Sequence, residues 1–225
     1  MTAGPAASRA RPKRYDVSVF VNCPFDEAYR PLLQAVLFTI HDCGFMARLA
    51  LEDTGSGETR LDKIARIIKD SRFSIHDISR TEAMPATGLP RFNMPFECGL
   101  AFGAMHFAPN AAGARRDALI LAAQKFEDKA TLSDLAGQDA AYHANDPGLA
   151  IKAVRGFLAA KAKSVLSSDV MVRGDSASTK RFARFNAELP ALALAADIST
   201  SEIASFGYVA DWLALAAAWQ VESAR

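Results

Sequence analysis

The chain has 225 residues, half of them hydrophobic, a formal net charge of +1 and three cysteines. That length suits one domain with an appendage or two small domains, with enough apolar residues for a real core, and the near-zero charge gives no global electrostatic case for a nucleic-acid partner. Cys23, Cys43 and Cys98 are odd in number with no CxxC pair, which argues for a reducing compartment and against a disulfide framework or a zinc site.

Residues 1–14 are rich in Ala, Pro and Arg with no apolar run, so a disordered tail is expected and a secretory signal is not. Residues 15–22 (YDVSVFVN) form a β-branched and aromatic run long enough for a buried strand. Cys23-Pro24-Phe25 breaks it, and Asp26 can cap a helix in which Tyr29, Leu32, Leu33, Val36, Leu37 and Ile40 recur at helical spacing until Gly44. Residues 45–51 read as a second strand, and the polar loop 52–58 leads to a helix over about 59–70 with Leu61, Ile64, Ala65 and Ile68 on one face. Arg60 and Asp62 open that helix, where a dipole or cap role suffices for Asp62. A third strand covers 72–78, and a long loop from Ser79 reaches Asn93. Asn93 can cap the next helix, with Pro95 in its first turn, Glu97 one turn in, and a stop at Pro109-Asn110.

Residues 118–123 (ALILAA) read as a fourth strand, 131–135 as a short helix, 140–143 as a weak fifth strand and 148–166 as a further helix. Strands that alternate with helices imply a parallel sheet covered on both faces, because parallel neighbours need crossover connections. The expected fold is therefore a flavodoxin-like α/β domain over 15–166, with five parallel strands in the order 2-1-3-4-5. Beyond it, 176–196 and 199–223 read as two helices of a C-terminal helical appendage over 167–225. Its Phe, Tyr and Trp residues are too many to be left in water, so they either complete the core or make an oligomer contact. The Ala-rich end is interrupted by Asp211 and reads as amphipathic, not membrane-spanning. A cytoplasmic protein with no membrane partner is expected.

In an open parallel sheet, ligands bind beyond the carboxyl ends of the strands where the strand order reverses. That crevice falls between strands one and three. It receives Asn22, Cys23, Pro24 and Phe25 after the first strand, Asp77, Ser79 and Arg80 after the third, and the helix start carrying Asn93 and Glu97. Each has a plainer reading. Glu97 can simply complement the helix dipole, Asp77 can cap a turn, and Cys23 can be a buried thiol rather than a nucleophile. Arg80 can be a solvated loop charge or can hold a phosphate or carboxylate. The loop D53-TGSGET lacks the spacing and following Lys of a P-loop. His76 lies inside a strand and reads as structural. His41, His106 and His143 are scattered without metal-ligand spacing, so no metal is expected.

Three segments carry a resemblance: VFVNCPFD after the first strand, RLDKIARIIKDSRFSIHDIS across the second helix and third strand, and MPFECGLAFGA on the third helix. Over about residues 15–125 the chain resembles the nucleoside 2-deoxyribosyltransferase and TIR superfamily, whose members have a flavodoxin-like sheet and cleave N-glycosidic bonds of nucleosides or of NAD. The motif E-[LI]-G-x-A stands here as Glu97-Cys98-Gly99-Leu100-Ala101. The resemblance implies Glu97 as the nucleophile and Asp77 as a residue near the base or positioning Glu97. The chain departs from the family in having Arg91-Phe92-Asn93-Met94-Pro95 before the glutamate, where Asn93 would fill part of the role of an Asp, and Asn22-Cys23-Pro24-Phe25 after the first strand.

The resemblance implies an N-glycosidase or glycosyltransferase acting on a nucleotide, with NAD the first substrate to test and no separate cofactor. Arg80 would hold a phosphate, and Phe25 or Phe92 would cover the base. A role in bacterial defence or signalling, and homo-oligomers formed through the helical tail, would go with that analogy. The other reading is a non-catalytic nucleotide- or signal-binding module that kept the crevice.

Overall fold

A computed structural model describes residues 14–52, 55–80, 82–84, 87–107, 115–125, 132–135 and 137–223. Five parallel strands form one sheet: β1 (Ser18–Asn22), β2 (Met46–Arg48), β3 (Phe73–Asp77), β4 (Asp117–Ala122) and β5 (Ala141–Tyr142), in the order β2-β1-β3-β4-β5. This is the expected flavodoxin-like order, with its reversal between β1 and β3. The helices are α1 (Arg14–Val17), α2 (Arg30–Asp42), α3 (Arg60–Lys69), α4 (Asn93–Phe107), α5 (Pro147–Val165), α6 (Asp175–Ala195), α7 (Thr200–Ile203) and α8 (Val209–Glu222). Among the described residues no helix is long and apolar enough to cross a membrane.

β1 and β3 are buried along their whole length because both faces of the sheet are covered. Val19, Val21, Phe73 and Ile75 join the core built from α2, α5 and the C-terminal helices. Phe20 points the other way, into a smaller cluster with Ile64, Ile67 and Ile68 of α3 and Ala101 of α4.

Helix α2 explains why the sheet domain needs its appendage. Leu32, Leu33, Ala35, Val36, Leu37, Phe38, Thr39 and Ile40 are all buried. A helix that is apolar on every side must be enclosed on every side. The sheet covers one flank, and the Phe38 ring is closed off by Phe182, Phe185 and Trp219 at centroid separations of 5.5, 5.6 and 6.0 Å. The buried Thr39 hydroxyl donates to the Ala35 carbonyl at 2.7 Å, so it costs little there. Gly44 ends the helix at φ +84°, and a Cβ at that position would lie 2.8 Å from Leu166 Cδ1. Asp42 ties the tail down: it accepts from Ser178 Oγ at 2.8 Å and Arg181 Nε at 3.0 Å. The tail thus completes the core of this chain.

Several boundaries differ from the sequence expectation. Residues 15–17 belong to the short α1, closed by Ser18 Oγ donating to the Arg14 carbonyl at 2.7 Å; the pairing of β1 with β3 starts only at Val19 opposite Phe73. The second strand stops at Arg48, because the chain turns there: Glu52 N–H bonds the Leu49 carbonyl at 3.2 Å, and Arg48 Nε reaches the Glu52 carboxylate at 2.8 and 2.9 Å. The last expected helix is broken. Ser199 and Glu202 form a reciprocal cap on α7, a 3-10 turn at Phe206–Tyr208 follows, and α8 starts afresh. That break brings Phe206 back against Phe25, with ring centroids 6.2 Å apart. Within 131–135 only Ser133–Leu135 forms a 3-10 turn among the described residues. Of the expected tail over 1–14, Arg14 is the first residue of α1, and residues 1–13 lie outside the described residues, as do the helix stop at Pro109-Asn110 and Asp53 and Thr54 of the glycine-containing loop.

Candidate active site

Strand alternation divides the expected site residues between the two faces of the sheet. Asn22 pairs in register with His76, and both follow Phe20 onto the α3–α4 side. Asp77, next along β3, points to the α2–α5 side. The loop starting at Cys23 passes between them.

On the α3–α4 side, Asn22 Nδ2 donates to the Met94 carbonyl at 2.8 Å and lies 3.2 Å from His76 Nδ1. Asn22 therefore fastens the first turn of α4 to the end of β1. Burial pushes His76 down to about 3, so its ring is neutral, accepts from Asn22 at Nδ1 and carries its proton on Nε2. Asn22 Oδ1 and His76 Nε2 have no hydrogen-bond partner among the described residues. The helix begins at Asn93, and the Phe92 carbonyl accepts the first helical bond from Phe96 N–H at 2.9 Å. Asn93 is thus the first helical residue, not the cap.

Glu97 is only 5% exposed. Its one ion-pair partner among the described residues is Arg60 at the start of α3, 3.6 Å away and itself 55% exposed. Burial raises the Glu97 carboxyl above the usual glutamate range, and the Arg60 charge partly offsets that rise. Asp77 is not among the groups that move it. Burial alone therefore raises Glu97.

On the α2–α5 side, Asp77 is 1% exposed and fully engaged. Its Oδ1 accepts the Ser79 N–H at 2.9 Å, and its Oδ2 accepts the Tyr29 hydroxyl at 2.5 Å. His143 Nε2 stands 3.0 Å from the same Oδ2, off the line of a hydrogen bond. The His143 ring is oriented from its other side, where Nδ1 accepts the Asn145 N–H at 3.0 Å, leaving the ring proton toward Asp77. Burial and the Asp77 charge push the Tyr29 phenol well up, so it stays protonated and donates. The chain leaves His143 through two left-handed residues, Ala144 at φ 49° and Asn145 at φ 57°. Such backbone costs on the order of 1–3 kcal/mol per residue and persists where the surroundings enforce it.

The remaining expected residues fall as follows. Cys23 lies within reach of both halves: its thiol is pushed well up by burial first, then by Asp77, Glu97 and Asp26, so it stays protonated and is a poor nucleophile. Pro24 is buried in the same loop, and the half-buried Phe25 is engaged with Phe206 instead of facing the crevice. Ser79 is held by its N–H on Asp77, while its buried hydroxyl has no partner among the described residues. Arg80 donates Nε and Nη2 to the Asp26 carboxylate at 3.1 and 2.9 Å, and that pairing lowers Asp26. A cavity of about 200 Å³ opens beside Arg80, lined also by Arg91, Phe92 and Pro95.

Three residues of this assembly were not singled out for the site from sequence. Tyr29 reads as a core position of an amphipathic helix, and Arg60 as a helix-start charge. His143 follows the fifth strand directly, so the rule that ligands gather at the carboxyl ends of strands points to it once that strand is accepted. Among the described residues no three His, Cys, Asp or Glu side chains gather as a metal ion would need. No protein-family model, no curated protein and no solved structure matches this chain.

Proposed function

We propose that the protein cleaves or transfers the N-glycosidic bond of a nucleotide, NAD being the first substrate to test, with Glu97 as the reacting carboxylate. One observation carries this reading: a buried carboxylate, raised by burial and balanced among the described residues only by an exposed arginine, stands one turn into the helix that Asn22 fastens over the strand-order reversal. When the C–N bond breaks, the base leaves with the bonding electrons and positive charge develops on the sugar. An ionised Glu97 stabilises that charge or captures the anomeric carbon. Water or an acceptor hydroxyl then adds at that carbon, displacing the Glu97 carboxylate where it has bonded, and its proton passes to the departed base or to solvent. Asp77, with both oxygens engaged, holds the β3–α4 turn through the Ser79 N–H and positions the site without touching the reacting atoms.

The pairing of Glu97 with Arg60, 3.6 Å apart, favours a second reading, a nucleotide-binding module without turnover. Incubating the pure protein with NAD and with deoxynucleosides, followed by chromatography for free base, separates the two. The catalytic reading expects base release by the wild type and a loss of at least about two orders of magnitude in Glu97→Gln. Equal rates for both proteins would remove Glu97 from the mechanism. Nucleotide binding with no base release would leave the binding module.

A further inference from the structure

The cavity beside Arg80 lies on the other side of α4 from Glu97. Pro95 lines it, and Pro95 and Glu97 are two residues apart, about 200° around a helix axis. Its walls are Ile78 at the end of β3, Pro90, Phe92, Pro95 and Leu132 beyond β4. These are flat or branched apolar surfaces. Phe92 is 66% exposed, and its ring lines the cavity.

Two guanidiniums also reach this cavity, and they differ. Arg80 has Nε and Nη2 committed to Asp26, and Glu82 and Asp77 add to the negative field around it. Arg91 places Nε on an uncharged atom, Met84 Sδ, at 3.1 Å. Among the described residues no carboxylate forms an ion pair with Arg91; Asp26 feels its charge, yet is bonded to Arg80 and to the Tyr29 N–H. The planar Arg91 fork is therefore available for an anion, beside an aromatic ring and apolar walls. About 200 Å³ is below the roughly 300–1,000 Å³ of pockets that enclose drug-sized ligands, which leaves room for one ring system.

We propose that this cavity is a binding site for a small aromatic anion, one planar ring system against Phe92 and the prolines, with its phosphate or carboxylate on Arg91. The site does not include Glu97 and does not depend on the reaction proposed above.

Calorimetric titration of the full chain with 5′-AMP, adenosine, inorganic phosphate and benzoate tests it. The phosphorylated ring is expected to bind at least about tenfold tighter than adenosine or phosphate alone; benzoate in its place identifies a carboxylate as the preferred anion. Arg91→Gln should reduce the anionic ligand to the level of its uncharged ring, and Phe92→Ala should weaken ring and anion together. Thermal melts of each variant establish that it is folded. Glu97→Gln should leave the Arg91-dependent binding unchanged. The proposal is overturned if no ligand binds, if the anionic ring is no tighter than the neutral one, or if folded Arg91→Gln binds like wild type. Loss of binding in Glu97→Gln would move the ligand to the other side of α4 and overturn it too. Absence of base release by the wild type leaves this site standing and removes only the catalytic reading.

Discussion

The Tyr29 hydroxyl donates to Asp77 Oδ2 at 2.5 Å, joining the start of α2 to the end of β3 inside the protein. With the Ser79 N–H on Oδ1, it supplies the hydrogen bonds that make a buried aspartate tolerable. Truncating the donor leaves the acceptor in place without water. Tyr29→Phe is therefore expected to destabilise the fold by about 1.5–3 kcal/mol, the range for hydrogen bonds to charged groups. Urea unfolding midpoints of the two proteins check this; a difference below about 0.5 kcal/mol would mean that Tyr29 contributes packing alone.

Glu97 gives a prediction of opposite sign. Its carboxyl is raised in the folded chain, so the native state holds that proton more tightly than the unfolded state does. Stability then falls as pH rises from the usual glutamate range to the raised value, and levels off above it. Gln does not titrate, and the ion pair it gives up is to a half-exposed arginine, worth roughly 0–1 kcal/mol. Glu97→Gln should therefore gain melting temperature relative to wild type as pH rises through that window, and lose the advantage below it. Melts at pH 4 and pH 8 decide the matter. A variant less stable at pH 8 by the same amount as at pH 4 would contradict the direction of the shift.

Arg60 holds Glu97 toward its charged form. Removing it in Arg60→Ala takes away the one charge among the described residues that lowers the carboxyl, so Glu97 should titrate at higher pH than in wild type. Carboxyl-carbon NMR follows this directly, whether or not the protein turns over. If it does, the acidic limb of the pH–rate profile should move the same way. An unchanged titration would show that the 3.6 Å contact is electrostatically silent.

The only two tryptophans, Trp212 and Trp219, both lie in α8 and are both buried. Their emission therefore reports on the appendage, while far-UV circular dichroism reports on the whole chain. Because Phe38 of α2 packs on Phe182, Phe185 and Trp219, the two signals are expected to change at the same denaturant concentration. Trp219→Ala should cost about 3–5 kcal/mol, as for other large aromatic truncations in a core. An early fluorescence transition would mean that the tail melts by itself.

The strand order was legible because each buried strand is a short apolar run and each helix carries a periodic face, and parallel pairing leaves few topologies. Residues 15–17 misled because their composition suits a strand, while nothing in the local sequence tells that β3 offers a partner only from Phe73 onward. The break in the last helix was written in Ser199 and Glu202 as a capping pair and in Gly207, signals outweighed by the apolar spacing around them. For the site, position along the sheet could be read but facing could not. Asn22 and Asp77 both end strands at the reversal, yet a single step along β3, from His76 to Asp77, sends the second to the opposite face. Long-range partners such as His143 with Asp77 follow from folding, not from spacing.

The outermost strands of the sheet, β2 and β5, are three and two residues long. An unpaired strand border is the place where another polypeptide can add itself by main-chain hydrogen bonding, and keeping such borders short is a common protection against it. Here an incoming extended segment would meet only a few successive rungs on either flank. The sheet is poorly built to grow by strand addition, in partial unfolding as in the native state, so recruitment of another chain falls to the helices and loops.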